Sequence, residues 1–290
     1  MADRLRNPEF LEKDETASNS GEGFVEAWDK VGIYVSTESE VSPVPAEARV
    51  VVYSEKTSAA ADRYRLAQIR LKNLQATRKL KSLVITSPLP GDGKSTVALN
   101  LATVLSENTE VPVLLLEADV TRPTLLEKLG LKPWPGLTEC FRHGDDPMMA
   151  VRHINPLGFY LLPAGQPEEN RTGILESNVI SHFIKGLSSS LFGWILIDSP
   201  PTTPTADIVA LKALADGTLL VARAGTTPRQ AIEESVRNLG HDHILGIILN
   251  CVEGLDRVYS KYYGYGKSAA RKTHAKPKAT AGLGLDEGAK

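Results

Sequence analysis

The densest chemistry in this sequence lies in Thr86-Ser87-Pro88-Leu89-Pro90-Gly91-Asp92-Gly93-Lys94-Ser95-Thr96. An aliphatic run, Leu83-Val84-Ile85, precedes it, and a helical stretch, Val97-Ala98-Leu99-Asn100-Leu101-Ala102, follows it. That strand–loop–helix setting reads as a phosphate loop. Gly91 and Gly93 permit backbone angles that turn successive N–H groups toward phosphate oxygens. The helix N-terminus adds free N–H groups and a partial positive charge. Lys94 reaches the β- and γ-phosphates, Ser95 holds Mg²⁺, and Pro90, Asp92 and Thr96 complete the cradle. One position departs from G-x-x-x-x-G-K-S: Pro88 stands where the first Gly is usual.

Two further aliphatic runs end in acids. Leu114-Leu115-Leu116 leads into Glu117-Ala118-Asp119-Val120-Thr121-Arg122-Pro123, and Trp194-Ile195-Leu196-Ile197 into Asp198-Ser199-Pro200-Pro201. In a parallel sheet both would emerge at the same edge as Lys94. Phosphoryl transfer asks for a positioned Mg²⁺, neutralised charge and an oriented nucleophile. Asp198 suits a water-mediated Mg²⁺ contact. At least one of Glu117 and Asp119 is expected to face the γ-phosphate, as metal ligand or as base for an incoming hydroxyl. Arg122 steadies transferred charge or binds a neighbouring subunit. Asn250 closes Gly246-Ile247-Ile248-Leu249-Asn250-Cys251, where its amide reads an adenine edge or simply ends a strand.

Four of the eight tyrosines fall within seven residues, at Tyr259, Tyr262, Tyr263 and Tyr265. Their spacing fits neither a helix face nor a strand, and the Gly and Lys around them point to an exposed segment. Clustered exposed tyrosines beside a nucleotide site read as phosphate acceptors, each phosphate adding about −1.5 to −2 charges to a basic tail.

The elements that must position these groups follow from a repeated rhythm. Leu83–Ile85, Val113–Leu116, Phe159–Leu162, Trp194–Ile197, Thr218–Val221 and Leu245–Leu249 are short aliphatic runs. Helical patterns at 59–77, 95–107, 175–187, 207–215 and 228–239 separate most of them. Such alternation predicts an α/β fold, a doubly wound, mostly parallel sheet covered on both faces, with ligands beyond the carboxyl ends of its strands. Val50-Val51-Val52-Tyr53 is expected as one more short strand.

The chain is 290 residues, 42% apolar and 23% charged, with a net charge of −2, which argues neither way on nucleic acid; no nucleic-acid partner is expected. The ends differ. Residues 1–48 hold eleven acidic and four basic side chains and residues 257–290 eight basic and two acidic. The expected organisation is an acidic, mostly disordered segment over 1–48, a phosphate-loop domain over 49–256 and a tyrosine-bearing tail over 257–290. Phe24-Val25-Glu26-Ala27-Trp28 to Ile33-Tyr34 is the one candidate docking helix in the first segment. Cys140 and Cys251 form no metal or redox spacing, and no apolar run approaches a membrane span. A reduced, cytosolic protein is expected.

Taken together, these motifs resemble the bacterial tyrosine kinases of capsule and exopolysaccharide synthesis, autokinases built on the phosphate-loop fold. The resemblance covers roughly 58–266. Residues 86–96 look like that family's Walker A, in which Pro88 is usual. Leu114–Pro123 look like its second motif, Ile197–Pro201 like its Walker B, and the tyrosines like its C-terminal cluster. The resemblance implies transfer of the γ-phosphate of ATP to tail tyrosines, those of a neighbouring subunit in a homo-oligomer, with Lys94, Glu117, Asp119, Arg122 and Asp198 catalytic and Ser95, Asp119 and Asp198 around Mg²⁺. It makes Glu117 the base. It also implies a membrane-spanning polysaccharide chain-length regulator as activator, recruiting a cytoplasmic kinase to the inner membrane face. Two positions depart: Glu117 stands where the family carries its first aspartate, and the ring-forming Glu-x-x-Arg-x-x-Arg reads Asp62-x-x-Arg65-x-x-Gln68. Two alternatives remain open at this point. One is an ATPase switch of the partitioning and division-site type, whose extra lysine early in the loop is Leu89 here. The other is a nucleotide-binding adaptor of a polysaccharide synthesis complex.

Overall fold

Runs of Val, Ile and Leu without polar interruption are stable as strands when both faces are covered, and each of the six runs becomes one. In a computed structural model, which describes residues 39–107, 111–168, 183–184, 186–187, 192–202, 208, 212–213 and 215–254, the strands are β1 Ser39–Val41, β2 Ser82–Thr86, β3 Val113–Glu117, β4 Arg152–Asn155, β5 Phe159–Leu162, β6 Trp194–Asp198, β7 Gly217–Arg223 and β8 Ile244–Asn250. They form one sheet in the order β1-β4-β5-β3-β6-β2-β7-β8. Every pairing is parallel except β4 with β5. The chain divides into two units, Met1–Val252 and Glu253–Lys290, and only Glu253 and Gly254 of the second are described.

The two-residue period of a strand divides the core in two. Leu83 and Ile85, Val113 and Leu115, Trp194 and Leu196, and Leu219 and Val221 lie on one face. Val84, Leu114 and Leu116, Ile195 and Ile197, and Leu220 lie on the other. Each such side chain contributes about 1.5–3 kcal/mol over leaving it in water.

The helices are α1 Val51–Ser54, α2 Ala59–Thr77, α3 Lys94–Ser106, α4 Leu125–Lys128, α5 Leu137–His143 and α6 Arg229–Leu239. In α3, Val97, Leu99, Leu101, Val104 and Leu105 are all buried, because the helix is enclosed by the sheet and by α2. Ser58 starts α2 by accepting the Ala61 N–H at 3.1 Å, and Gln68 Nε2 donates to the Val104 carbonyl, tying α2 to α3. The helical patterns at 59–77, 95–107 and 228–239 are therefore α2, α3 and α6. Those at 175–187 and 207–215 lie mostly outside the described residues, although Phe183, Ile184, Leu187 and Ile208 are buried on the second face. The candidate docking helix at 24–34 lies outside them as well.

Two expectations change, and one strand appears that was not expected. Val50–Tyr53 is not a strand: Val51–Ser54 turns as a helix. Asn100 on α3 takes the Val52 N–H on Oδ1 at 3.3 Å and donates Nδ2 to the Arg49 carbonyl at 2.9 Å, so this segment's polar groups are satisfied against α3, away from any sheet edge. Disorder does not extend through 39–48, since β1 pairs with β4, Arg152 bonds Glu40, and Ala48 is buried. Finally, Arg152-His153-Ile154-Asn155 forms a strand that no aliphatic run announces. Among the described residues no helix is long and apolar enough to cross a membrane.

The two thiols occupy opposite environments. Cys140 is buried and its thiol is pushed up to about 11 by burial and by Asp145, Asp146 and Glu139, whereas Cys251 is exposed. Alkylation at about pH 8, where the thiolate is the reactive form, is expected to label Cys251 and spare Cys140 until the chain unfolds. Peptide mapping of the labelled, folded protein checks this.

Candidate active site

In a parallel sheet the loops after neighbouring strands meet at one edge, and here they are joined to one another by backbone hydrogen bonds. Ser199 N–H reaches the Ile85 carbonyl at 3.1 Å, Thr202 N–H the Ser87 carbonyl at 2.8 Å, and Ala118 N–H the Asp198 carbonyl at 2.8 Å. The loops that follow β2, β3 and β6 are thus a single hydrogen-bonded rim, and the candidate residues sit on it.

The phosphate loop has the conformation its glycines allow. Gly91 and Gly93 take φ values of +86° and +96°, and α3 begins at Lys94. Asp92 is buried in the loop, where its Oδ2 accepts the Leu89 N–H at 3.0 Å and its Oδ1 the Thr227 hydroxyl at 2.6 Å. Asn250, at the end of β8, donates Nδ2 to the Asp92 carbonyl at 2.9 Å and accepts the Cys251 N–H on Oδ1. A Cβ added at Gly93 would stand 2.1 Å from Asn250 Nδ2, so the strand end and the loop touch. Asn250 is therefore more than a strand terminator: its amide is packed into the loop, with one N–H left for a further acceptor. Pro90 and Gly91 are exposed at the tip, and Thr96 is half-buried on the first turn of α3.

Charge is concentrated around Lys94. Its Nζ lies 3.2 Å from Asp119 Oδ2. Burial disfavours the ammonium, but Asp198, Asp119 and Glu117 together hold it above its ordinary value. Burial lifts the Asp198 carboxyl to about 6 against the pull of Lys94 and a hydrogen bond from Ser95. Asp198 Oδ1 is buried without a hydrogen-bond partner among the described residues. Such an orphaned acceptor, beside the Ser95 hydroxyl and a buried carboxylate, is what a Mg²⁺ and its waters would satisfy. Among the described residues no three His, Cys, Asp or Glu side chains are placed to hold a metal ion by themselves; Mg²⁺ at a nucleotide needs only one or two carboxylates besides phosphate oxygens.

The two acids after β3 part company. Asp119 faces Lys94. Glu117, 1% exposed, is turned inward: Oε1 accepts the N–H groups of Thr124 and Leu125 at 2.6 and 2.8 Å, and Oε2 that of Ala164 at 3.2 Å. Burial pushes its carboxyl up to about 7 despite those three donors. It holds the start of α4, and of the two acids it is Asp119 that pairs with Lys94. Arg122 is exposed, and its N–H bonds Asp119 Oδ1 at 3.3 Å. Tyr259, Tyr262, Tyr263 and Tyr265 lie outside the described residues. Arg223, the last residue of β7, and Thr227, in the turn after it, touch the loop without any motif to announce them.

Residues 79–280 match the family described as ParA, NUBPL iron-transfer P-loop NTPase. Over 191 residues the chain is 30% identical to the tyrosine-protein kinase CpsD of Streptococcus agalactiae, a match spanning 64% of this chain and 82% of that one. The chain belongs to the ParA-type P-loop NTPases, in the bacterial tyrosine-protein kinase family. It is also 28% identical over 222 residues to the tyrosine-protein kinase YwqD of Bacillus subtilis (strain 168), covering 76% of this chain and 91% of YwqD. A match to the succinoglycan biosynthesis transport protein ExoP of Rhizobium meliloti (strain 1021) is 27% identical and spans 73% of this chain but only 27% of ExoP. Among solved structures, the VpsO kinase domain superposes with a TM-score of 0.60 at 28% identity, covering 69% of this chain and 99% of that domain. The matched stretch includes the phosphate loop and the acids of the rim described above.

The loop geometry separates its two glycines. Gly91→Ala meets open space and carries only the left-handed strain of roughly 1–2 kcal/mol, so nucleotide binding should weaken modestly. Gly93→Ala adds a collision with Asn250, and binding should be lost. The shift in melting temperature on adding ADP, compared across the two variants, checks the order.

Proposed function

We propose that the chain is an ATP- and Mg²⁺-dependent protein-tyrosine autokinase that phosphorylates Tyr259, Tyr262, Tyr263 and Tyr265 and acts in capsule or exopolysaccharide synthesis. The ion pair between Lys94 and Asp119, on the rim shared with Ser95 and Asp198, is the observation that carries this reading. It brings together one cation for the transferred phosphate and one carboxylate for an incoming hydroxyl.

The reaction needs little covalent chemistry from the protein. The tyrosine oxygen bonds to the γ-phosphorus as the bond to the β,γ-bridging oxygen breaks and ADP departs; the phenolic proton passes to a carboxylate. Backbone N–H groups of the loop and the Lys94 ammonium hold the phosphates. Ser95 and Asp198 would hold Mg²⁺, which supplies charge neutralisation on the phosphate oxygens when bound. Asp119 takes the phenolic proton, a role the resemblance gave to Glu117; with its three backbone donors, Glu117 instead fixes the turn that carries Asp119. Arg122, on that same turn, steadies the transferred charge, and the free Asn250 N–H reads the base. The acceptor tail belongs to a second copy of the chain, and the activator is a membrane-spanning chain-length regulator that recruits the kinase to the inner membrane face.

Mass spectrometry of residues 257–290 from protein made in its own host tests this. Phosphotyrosine is expected in the wild type and absent in Lys94→Ala. Asp119→Asn should lower tail phosphorylation about 10²–10⁴-fold, the range for a positioned proton acceptor. An unmodified wild-type tail while polysaccharide is being made would overturn the proposal.

A further inference from the structure

Beyond the residues that meet phosphate or metal, the phosphate loop is gripped from behind by the turn that follows β7. Thr227 sits at its centre. Its Oγ1 accepts the Arg223 N–H at 2.7 Å and donates to Asp92 Oδ1 at 2.6 Å. The other Asp92 oxygen accepts the Leu89 N–H at 3.0 Å, so one carboxylate spans the loop from residue 89 to residue 92 while Thr227 anchors it to β7. The Arg223 guanidinium adds a bond from Nη1 to the Gly91 carbonyl at 3.3 Å. The turn itself is closed by Thr226 and Thr227 N–H groups on the Arg223 carbonyl, at 3.2 and 3.0 Å.

We propose that Thr227 is a positioning residue for the nucleotide: its hydroxyl, through Asp92, holds the phosphate loop open in the shape that presents its N–H groups. A loop built around two glycines with positive φ has much conformational freedom to lose. A loop free to collapse must be ordered again at each binding event, which lowers affinity; a preorganised one need not be. Three contacts perform that ordering from outside the loop, namely Thr227 on the Asp92 carboxylate, Asn250 on the Asp92 carbonyl and Arg223 on the Gly91 carbonyl. Thr227 is the one whose loss leaves a buried carboxylate oxygen short of a donor. Within the phosphate loop its side chain hydrogen-bonds Asp92, so it acts on the nucleotide through that carboxylate.

This inference rests on the reading of the rim as an ATP site. The test is a calorimetric titration of the full chain with Mg²⁺-ADP, in wild type, Thr227→Val and Thr227→Ser, alongside the melting temperature of each without nucleotide. Valine keeps the shape and removes the hydroxyl; serine keeps the hydroxyl. Hydrogen bonds to charged groups predict that Thr227→Val weakens ADP about tenfold to a hundredfold. Thr227→Ser should stay close to wild type, and the nucleotide-free melting temperature should not rank the variants. Full affinity in Thr227→Val overturns the positioning role alone. So does an equal loss in Thr227→Ser, because the hydroxyl would then not be the cause. No binding by the wild type overturns the ATP-site reading itself, and the role of Thr227 with it.

Discussion

One ammonium group at the carboxyl edge of the sheet has to balance three carboxylates. Burying a charge is costly unless it is paired and hydrogen-bonded, and Glu117, Asp119 and Asp198 are all buried within the field of Lys94. Each acid is compensated differently. Asp119 takes the ion pair itself, Glu117 takes three backbone N–H groups, and Asp198 takes the Ser95 hydrogen bond while keeping one oxygen without a partner. The turn between β3 and α4 exists in its observed shape because Glu117 collects the N–H groups of Thr124 and Leu125, and that turn is what carries Asp119 back toward Lys94.

Much of this was legible in the sequence because a parallel sheet writes itself plainly. Where both faces are covered its strands are uninterrupted aliphatic runs, and all six runs became strands, with Ile247 and Leu249 of the edge strand β8 left exposed. What remained illegible was set by contacts distant in sequence. β4, Arg152-His153-Ile154-Asn155, has only one buried residue because it is antiparallel and near the sheet's edge, so its composition is polar. Val50–Tyr53 has strand-forming residues but satisfies its backbone against Asn100, 48 positions from Val52. A two-residue period would put Glu117 and Asp119 on the same face, but β3 ends at Glu117, so the period could not say which one faced Lys94. That choice depends on how the following turn folds back.

The phosphate loop shows the same division. Its glycines, lysine and serine were evident from spacing alone, and the structure brings them to one edge with Asp119 and Asp198. The grip of Thr227, Arg223 and Asn250 on its far side was not evident, since it arises from β7 lying next to β2, and β8 next to β7, in the sheet order. Membership of the bacterial tyrosine-protein kinase family fits a rim in which a single lysine and carboxylate are held together beside a nucleotide loop.

Supplying the purified full chain with Mg²⁺ and ATP labelled in the γ-phosphate, and following where the label goes, tests the central claim most directly. Transfer to tyrosine predicts label on the hydroxyls of residues 257–290 in the wild type, lost when Asp119 is asparagine. Label recovered only as inorganic phosphate, with the tail unmodified, would contradict it and make the chain an ATPase switch.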